Sequence, residues 1–206
     1  MKFILGKKLG MMQIFEPETK AALPVTLVEA GPVFITQVKT KDKDGYSAVQ
    51  VGFSKKKKLT KPLRGHLKNL GNLHYLREFR INQGEEAEFE KGKEITVEIF
   101  AKGEKVAVSS FSKGRGFAGV VKRHGFHGGP KTHGQKHSLR RPGSIGATTP
   151  QRVIKGTRMA GHMGAERVTV KGLKVVDLDP EKNILFIKGA IPGHFGSLVE
   201  IKGYKT

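Results

Sequence analysis

The stretch from residue 167 to residue 188 reads RVTVKGLKVVDLDPEKNILFIK, and it decides the class of fold. Apolar residues alternate along its first half at Val168, Val170, Leu173 and Val175. Asp179–Asn183 has the composition of a turn, and Ile184–Lys188 is apolar again. This pattern predicts two antiparallel strands joined by a turn, and therefore a chain built mainly of β-structure.

Similar apolar, β-branched segments occur toward both ends of the chain. Four of them precede residue 54: Phe3–Leu5, Leu23–Glu29, Val33–Thr40 and Ser47–Phe53. Three more are Ile95–Ala101, Val106–Phe111 and Leu198–Ile201. We expect Ile95–Ala101 and Val106–Phe111 to pair around Gly103, and Asp44-Gly45 is a turn signal. Several short strands separated by turns are typical of a small barrel or a sandwich.

Charge is distributed unevenly along the 206 residues. Lys and Arg number 38 against 18 Asp and Glu, which is a formal net charge of +20. Residues 54–84 hold 9 basic and 1 acidic residue, and residues 105–165 hold 12 basic residues and no acidic residue. A segment without carboxylates cannot neutralise itself, so its counter-charge is expected from outside. Nucleic acid is the commonest such partner, and an anionic membrane is the next.

The predicted strands lie on both sides of this basic segment, which we interpret as an excursion from one globular domain. Residues 1–111 and 166–206 are assigned to the globular β-domain, and residues 112–165 to an extended loop. A second, partly helical insertion is expected at about 54–90, with a helix over Pro62–Leu70. The acidic run Glu85–Glu90 is expected to face away from nucleic acid, or toward a basic neighbour.

Residues 112–165 contain 12 Gly, 3 Pro and 11 Lys or Arg. Gly permits close backbone approach, and Lys and Arg contact phosphates, so the composition indicates a chain threaded between RNA helices. A disordered basic tail is the alternative. Apolar residues dispersed along the segment argue against that alternative: Phe111, Phe117, Val120, Val121, Phe126, Ile145, Val153, Ile154 and Met159. We expect an extension that becomes ordered when it is bound.

Residues 114–119, Gly-Arg-Gly-Phe-Ala-Gly, match the dinucleotide-binding pattern G-x-G-x-x-G. That site needs a full helix after the glycines and an acidic residue about 20 positions on. Here only Phe117–Arg123 is available for the helix, and the next acidic residue is Glu166. Arg115–Val120 also begins like the aromatic strand of an RNA-recognition module but lacks its further aromatic rings. Neither motif is predicted to function.

Metal and hydrolytic sites are not expected either. The spacing of His124, His127, His133 and His137 would admit zinc, but the chain has no Cys, and the neighbouring residues are cationic. A Ser–His–acid site needs an acid that the basic segment does not supply. We therefore predict no enzyme, no cofactor and no small-molecule substrate, and we interpret these His as hydrogen-bonding or stacking against RNA.

Two rival classes of function remain as alternatives. A nucleic-acid-processing enzyme would need carboxylates brought to the basic groove from elsewhere in the fold. A basic module for membranes or sulfated glycans would need an amphipathic basic helix or a secretion signal. The apolar run Phe3–Leu5 is too short for a signal peptide, and no stretch approaches the roughly 20 apolar residues of a membrane span.

A series of motifs now identifies a family. The opening is Gly6–Met11 followed by Gln13-Ile14-Phe15; the central residues are Phe100, Ser110, Ser112, Gly114, Arg115, Gly116, Gly119 and Arg123; the later motifs are Pro142–Gly146, Lys155-Gly156, Met159–Gly164 and Glu166–Val170. In these the sequence resembles the bacterial form of the large-subunit ribosomal protein L3 family, over essentially the whole chain. Met12 departs from the usual Thr, and Ala107 from the usual Asp or Asn.

The resemblance implies a small closed β-barrel with a partly helical insertion and a long Gly/Arg/Lys-rich extension. It implies a cytoplasmic, structural constituent of the large ribosomal subunit that binds large-subunit rRNA, helps nucleate assembly and contacts neighbouring large-subunit ribosomal proteins. In the family the extension supports RNA near the peptidyl-transferase centre. By analogy the tip lies at about 144–152, and its residues are Ser144, Ile145, Gly146, Ala147, Thr148, Thr149, Pro150 and Gln151.

The candidate rRNA-binding residues are the cationic and imidazole side chains of the two basic segments. They are Lys55, Lys56, Lys57, Lys58, Lys61, Arg64, Lys113, Arg115, Lys122, Arg123, His124, His127, Lys131, His133, Lys136, His137, Arg140, Arg141, Arg152, Lys155 and Arg158. Released counterions would drive binding and make it salt-sensitive, and RNA shape and 2′-hydroxyls would supply specificity. For Lys55–Lys58 a solvated surface loop is the alternative.

Overall fold

A computed structural model of the chain describes residues 1–16, 20–68, 70–82 and 84–204. Its strands, in chain order, are β1 (Phe3–Phe15), β2 (Ala22–Ala30), β3 (Val33–Lys39), β4 (Ala48–Lys55), β5 (Leu73–Arg80), β6 (Glu94–Ile95), β7 (Lys105–Phe111), β8 (Phe117–Ala118), β9 (Gly161–His162), β10 (Arg167–Asp179), β11 (Ile184–Lys188) and β12 (Leu198–Gly203). The helices are α1 (Lys41–Asp44), α2 (Lys61–His66) and α3 (Val120–His124), and 3₁₀ turns span Glu85–Glu88 and Val97–Ile99. The predicted mainly β fold is confirmed.

The chain divides into two compact units. The first comprises Met1–Phe111 and Arg167–Thr206, and the second is Ser112–Glu166. No helix among the described residues is both long enough and apolar enough to cross a membrane.

Six strands of the first unit close into an antiparallel barrel, in the order β1-β12-β7-β10-β11-β2. Ile201 on β12 lies opposite Ile4 on β1 and opposite Val108 on β7, and all three side chains are fully buried. Alternate residues of a strand point to one face, so such rows of branched side chains fill the interior. The predicted closed barrel is confirmed.

The hairpin predicted from residues 167–188 is confirmed as β10 and β11. Leu178 lies opposite Leu185, and the turn is stabilised by the Lys182 N–H, which donates to the Asp179 carboxylate at 3.2 Å. Asn183 adopts a positive φ of 53°, which Asn tolerates better than most residues. Turn composition and strand alternation therefore specified this element locally.

The prediction that Ile95–Ala101 pairs with Val106–Phe111 is wrong. β6 covers only Glu94–Ile95 and pairs with β3, whereas β7 pairs with β12 and β10. A 3₁₀ turn then brings Val97 and Phe100, three residues apart, to the same side, where both are buried. The apolar residues of this segment thus follow the period of a turn.

A separate antiparallel sheet has the strand order β5-β4-β3-β6. Its buried side chains include Val33, Ile35, Val49, Val51 and Phe79. This sheet begins at residue 33, upstream of residue 54, where the sequence suggested an insertion. Because β3 and β4 pair with each other and with β5 and β6, they take no part in the barrel.

The two short helices of this region differ in detail from the sequence pattern. α2 begins at Lys61 and ends at His66, whereas the prediction was Pro62–Leu70; Asn69 lies outside the described residues. The Asp44-Gly45 turn signal corresponds to the end of α1, where Gly45 has a φ of 79° and its N–H donates to the Lys41 carbonyl. A left-handed glycine is a common helix terminator, so the reversal was predicted but its helical form was not.

The second unit begins and ends in one antiparallel ladder, which we call the stem (residues 112–118 and 161–166). β8 and β9 pair within it, with Phe117 opposite His162. The Arg115 N–H donates to the Met163 carbonyl, and the Met163 N–H donates to the Gly116 carbonyl, both at 2.9 Å. Beyond the stem, α3 is the regular element of this unit, whose residues are all described.

Candidate nucleic-acid interface

The predicted contact residues of the second unit are mostly exposed. The exposed ones are Lys113, Arg115, Lys122, His127, Lys131, His133, Lys136, His137, Arg140, Arg141, Arg152, Lys155 and Arg158. The ion pairs found among the described residues all lie within the first unit, and none involves these side chains. Their positive charge therefore stays uncompensated by protein carboxylates.

Arg123 and His124 are half-buried and have contacts within the second unit. The Arg123 Nη1 donates to the Met159 carbonyl at 2.9 Å, and the His124 Nε2 lies 3.0 Å from the same oxygen. A Cβ on Gly161 would meet the Arg123 guanidinium, so the glycine makes room for it. These two predicted RNA contacts also tie α3 to the returning chain, which the sequence pattern did not indicate.

Gly164 permits the close approach of the two strands of the stem. It has a φ of 75°, and a Cβ at this position would overlap the Lys113 carbonyl oxygen. The Ser112 N–H donates to the Glu166 carbonyl at 2.9 Å at the end of the stem. Glycine is therefore required both for backbone conformation and for space.

The loop from residue 125 to residue 143 closes on itself through backbone contacts. The Gly129 N–H donates to the carbonyls of Ser138 and Leu139 at 3.1 and 3.2 Å, and the Arg141 N–H donates to the Ser138 carbonyl at 3.2 Å. A Cβ on Gly128 would overlap the Leu139 carbonyl oxygen. The Ser138 hydroxyl donates to the Gln135 side chain. These contacts shape a cleft of about 540 Å³ lined by His124, Phe126, His127, Arg141 and Arg158, among others.

The predicted tip residues, Ser144–Gln151, are all exposed. The Ser144 hydroxyl donates to the Gly146 carbonyl at 2.8 Å, and the Gln151 N–H donates to the Thr148 carbonyl at 3.3 Å. These bonds are local, so the side chains of the tip remain open to a partner.

The other basic segment lies in the first unit, from the end of β4 through α2. Its predicted contacts, Lys55–Lys58, Lys61 and Arg64, are all exposed. The Lys56 N–H donates to the Asn72 carbonyl at 2.9 Å, which fixes the backbone there. This arrangement fits both the phosphate-binding interpretation and the solvated loop.

Two exposed apolar side chains of the second unit, both outside the tip, were not predicted as contacts. Phe117 is 80% exposed and Ile154 is 64% exposed. Phe117 belongs to β8 beside the buried Ala118, so strand alternation was the available signal for its outward direction. An aromatic ring this exposed in a cationic unit suits stacking against nucleobases.

The His residues of the extension do not assemble a metal site. Among the described residues, no group of three or more His, Cys, Asp or Glu is arranged to hold a metal ion. The His124 and Phe126 rings lie 5.9 Å apart between centroids and are tilted by 44°. The extension therefore presents a surface of aromatic rings and cationic side chains.

Comparison with known proteins agrees with these features. The family model described as Ribosomal protein L3 matches residues 54–183. The large ribosomal subunit protein uL3 of Pelotomaculum thermopropionicum is 54% identical over 205 residues, which cover 98% of this chain and 96% of that protein. The proteins of the same name from Synechococcus sp. (strain JA-3-3Ab) and Prochlorococcus marinus (strain NATL1A) are each 53% identical, over 96% and 98% of this chain and 94% and 93% of theirs. This chain therefore belongs to the ribosomal protein L3 family.

Proposed function

We propose that this chain binds large-subunit rRNA through its second unit and the Lys55–Arg64 segment, and that it does so as a structural part of the ribosome in the cytoplasm. Family membership makes it a translation-related, non-enzymatic protein of the large ribosomal subunit. The observation that carries the rRNA-binding proposal is the set of exposed cations without an ion pair in the second unit. Residues 112–165 supply 11 Lys or Arg and no Asp or Glu.

The mechanism is electrostatic and geometric. Lys and Arg neutralise phosphates where RNA helices crowd, and the released counterions drive binding. Glycines with a positive φ, such as Gly128 and Gly164, let two segments of the backbone approach each other closely. The Lys and Arg side chains therefore project from a compactly folded chain. The tip, Ser144–Gln151, extends toward the peptidyl-transferase centre. It shapes the RNA there without taking part in peptide bond formation.

The protein also helps to nucleate assembly of the subunit and contacts neighbouring large-subunit ribosomal proteins. Early binding follows from the charge, since a net +20 favours rapid association with a polyanion. The acidic run Glu85–Glu90, partly a 3₁₀ turn in the first unit, faces away from the RNA or meets a basic neighbour.

A salt series on the binding of large-subunit rRNA tests the main proposal. One variant changes Lys131, Lys136, Arg140 and Arg152 to Gln, and its matched control changes Lys41, Lys43, Lys182 and Lys188, exposed cations of the first unit. If the four extension cations each contact a phosphate, the negative slope of log K against log salt becomes shallower by about 3 in the quadruple variant. The control loses the same charge and keeps the slope within error.

A deletion tests the unit as a whole. Replacing residues 119–160 by a short Gly-Ser linker retains the β8–β9 ladder, so the rest of the chain is left as it is. We expect weaker binding with a shallower salt dependence, because the phosphate contacts of the extension are lost while the Lys55–Arg64 cations remain. If the deletion binds as tightly as the intact chain, the barrel or the Lys55–Arg64 segment carries the affinity, and the assignment of the extension is wrong.

A further inference from the structure

The cleft of the 125–143 loop has the size of a small-ligand site. Its volume is about 540 Å³, within the range of roughly 300–1,000 Å³ that ligand pockets occupy. Its lining residues include the aromatic Phe126, His124 and His127 together with Arg141 and Arg158. Cations and flat aromatic rings therefore meet around one concave space.

The walls of the cleft are held by contacts within the second unit. On one wall, the His124 Nε2 is hydrogen-bonded to the Met159 carbonyl oxygen, and the centroids of the His124 and Phe126 rings lie 5.9 Å apart. On the other wall, the Gly129 N–H donates to two successive carbonyls of the facing chain. The position of the His124 ring, and the backbone facing it, are thus restricted before any ligand binds, which lowers the entropic cost of binding.

The electrostatics of the cleft select an anion. Arg141 and Arg158 are exposed and make no ion pair among the described residues, and residues 112–165 contain no carboxylate. Guanidinium groups bind phosphate bidentately. A phosphate alone, however, would leave the aromatic wall without a partner.

We propose that this cleft holds one unpaired nucleotide of RNA, with its base stacked on Phe126 and its phosphate bound by Arg141 and Arg158. Unpaired bases splayed from loops and bulges are recognised by stacking on aromatic rings and by Arg, whereas bases within a duplex are inaccessible. The proposal rests on the proposed RNA-binding function. It adds that RNA with a bulged nucleotide is preferred to continuous duplex.

The test compares an RNA duplex carrying one bulged 2-aminopurine with the same duplex without the bulge, using the full-length protein. We expect the bulged RNA to bind about tenfold more tightly, the effect of one stacked base. Stacking should also quench the 2-aminopurine fluorescence. Phe126→Leu removes the aromatic face and abolishes both effects, while Phe126→Tyr keeps the ring and retains them.

Two further variants separate the cleft from general charge and fold effects. Phe195→Leu changes a phenylalanine of the first unit that is 73% exposed and should leave the preference intact. Arg141→Gln combined with Arg158→Gln should weaken the bulged RNA more than the duplex. If the wild type binds both RNAs equally, or if Phe126→Leu keeps the preference and the quenching, the cleft proposal is overturned while RNA binding stands. If the wild type binds neither RNA, the proposed function itself fails.

Discussion

Gly164 shows how much a single residue contributes to the second unit. Any other residue here would have to adopt a φ of 75° and would also overlap the Lys113 carbonyl oxygen. Gly156 has a similar φ of 87° but open space around it, so the pair separates backbone strain from overlap. The glycines of the extension thus differ in what they do, although the sequence presents them alike.

Gly164→Ala should therefore open the stem, whereas Gly156→Ala should cost about 1–2 kcal/mol through backbone strain alone. Amide hydrogen exchange at Arg115 and Met163, whose N–H groups cross the stem, measures the effect. Faster exchange is expected for Gly164→Ala only. Equal protection in both variants would show that the stem absorbs the extra methyl group.

Glu78, on β5, makes contacts whose contribution to stability depends on pH. It accepts hydrogen bonds from the Lys39 ammonium and the Tyr46 hydroxyl, each at 2.8 Å. The bond from Lys39 is the main cause that lowers the pKa of Glu78 below its ordinary value of 4.5. A carboxyl whose pKa is lower in the folded state stabilises the fold above the unfolded pKa, and this contribution is lost as pH falls through the folded pKa.

Glu78→Gln should accordingly lower the urea midpoint near neutral pH, and the difference from wild type should shrink as the pH falls below about 4. Urea unfolding over an acidic-to-neutral series measures this. Glu181→Gln, in the β10–β11 turn, removes an exposed carboxylate and should change the urea midpoint at neutral pH only slightly. A pH-independent gap for Glu78→Gln would mean that its charge is unimportant to the contact.

At the scale of elements, β12 completes the barrel between β1 and β7. Ile201 is fully buried and lies opposite residues of both neighbours, Ile4 and Val108. Ile154 carries the same side chain in the second unit but is 64% exposed. Because burial decides the cost of losing a side chain, the two isoleucines should respond very differently to truncation.

Ile201→Ala should destabilise the first unit by about 2–5 kcal/mol, since it removes a buried side chain and leaves a cavity. Ile154→Ala should have an effect within roughly 0.5 kcal/mol, as surface substitutions do. Urea denaturation followed by far-ultraviolet circular dichroism measures both. Equal effects would contradict the assignment of Ile201 to the barrel core.

At the scale of the whole molecule, self-repulsion opposes a compact state. The net charge is +20, and the ion pairs among the described residues lie in the first unit. At an ionic strength of 0.1 M, salt largely screens the repulsion between exposed charges that lie more than about 10 Å apart. Free of RNA, the protein should therefore gain stability as salt is added, although its affinity for RNA decreases.

The thermal unfolding midpoint of the free protein should rise between low and moderate concentrations of NaCl. The quadruple Gln variant of Lys131, Lys136, Arg140 and Arg152 should begin from a higher midpoint and show a smaller rise. Scanning fluorimetry measures both. A midpoint that falls with salt would mean that favourable ion pairs outweigh the repulsion.

The sequence by itself determined whatever depends on near neighbours along the chain. Alternation and turn composition predicted the hairpin of residues 167–188, and the missing carboxylates predicted an exposed cationic unit; the motifs also carried the family. Strand pairing, in contrast, was decided by tertiary structure. β7 lies between β10 and β12, and both of these strands are far from it in sequence. The sequence pattern did not predict this pairing, because alternation specifies which face of a strand is buried but not which strand lies beside it. The contacts of Arg123 and the walls of the Phe126 cleft were likewise set by chain reversals that no local pattern encodes.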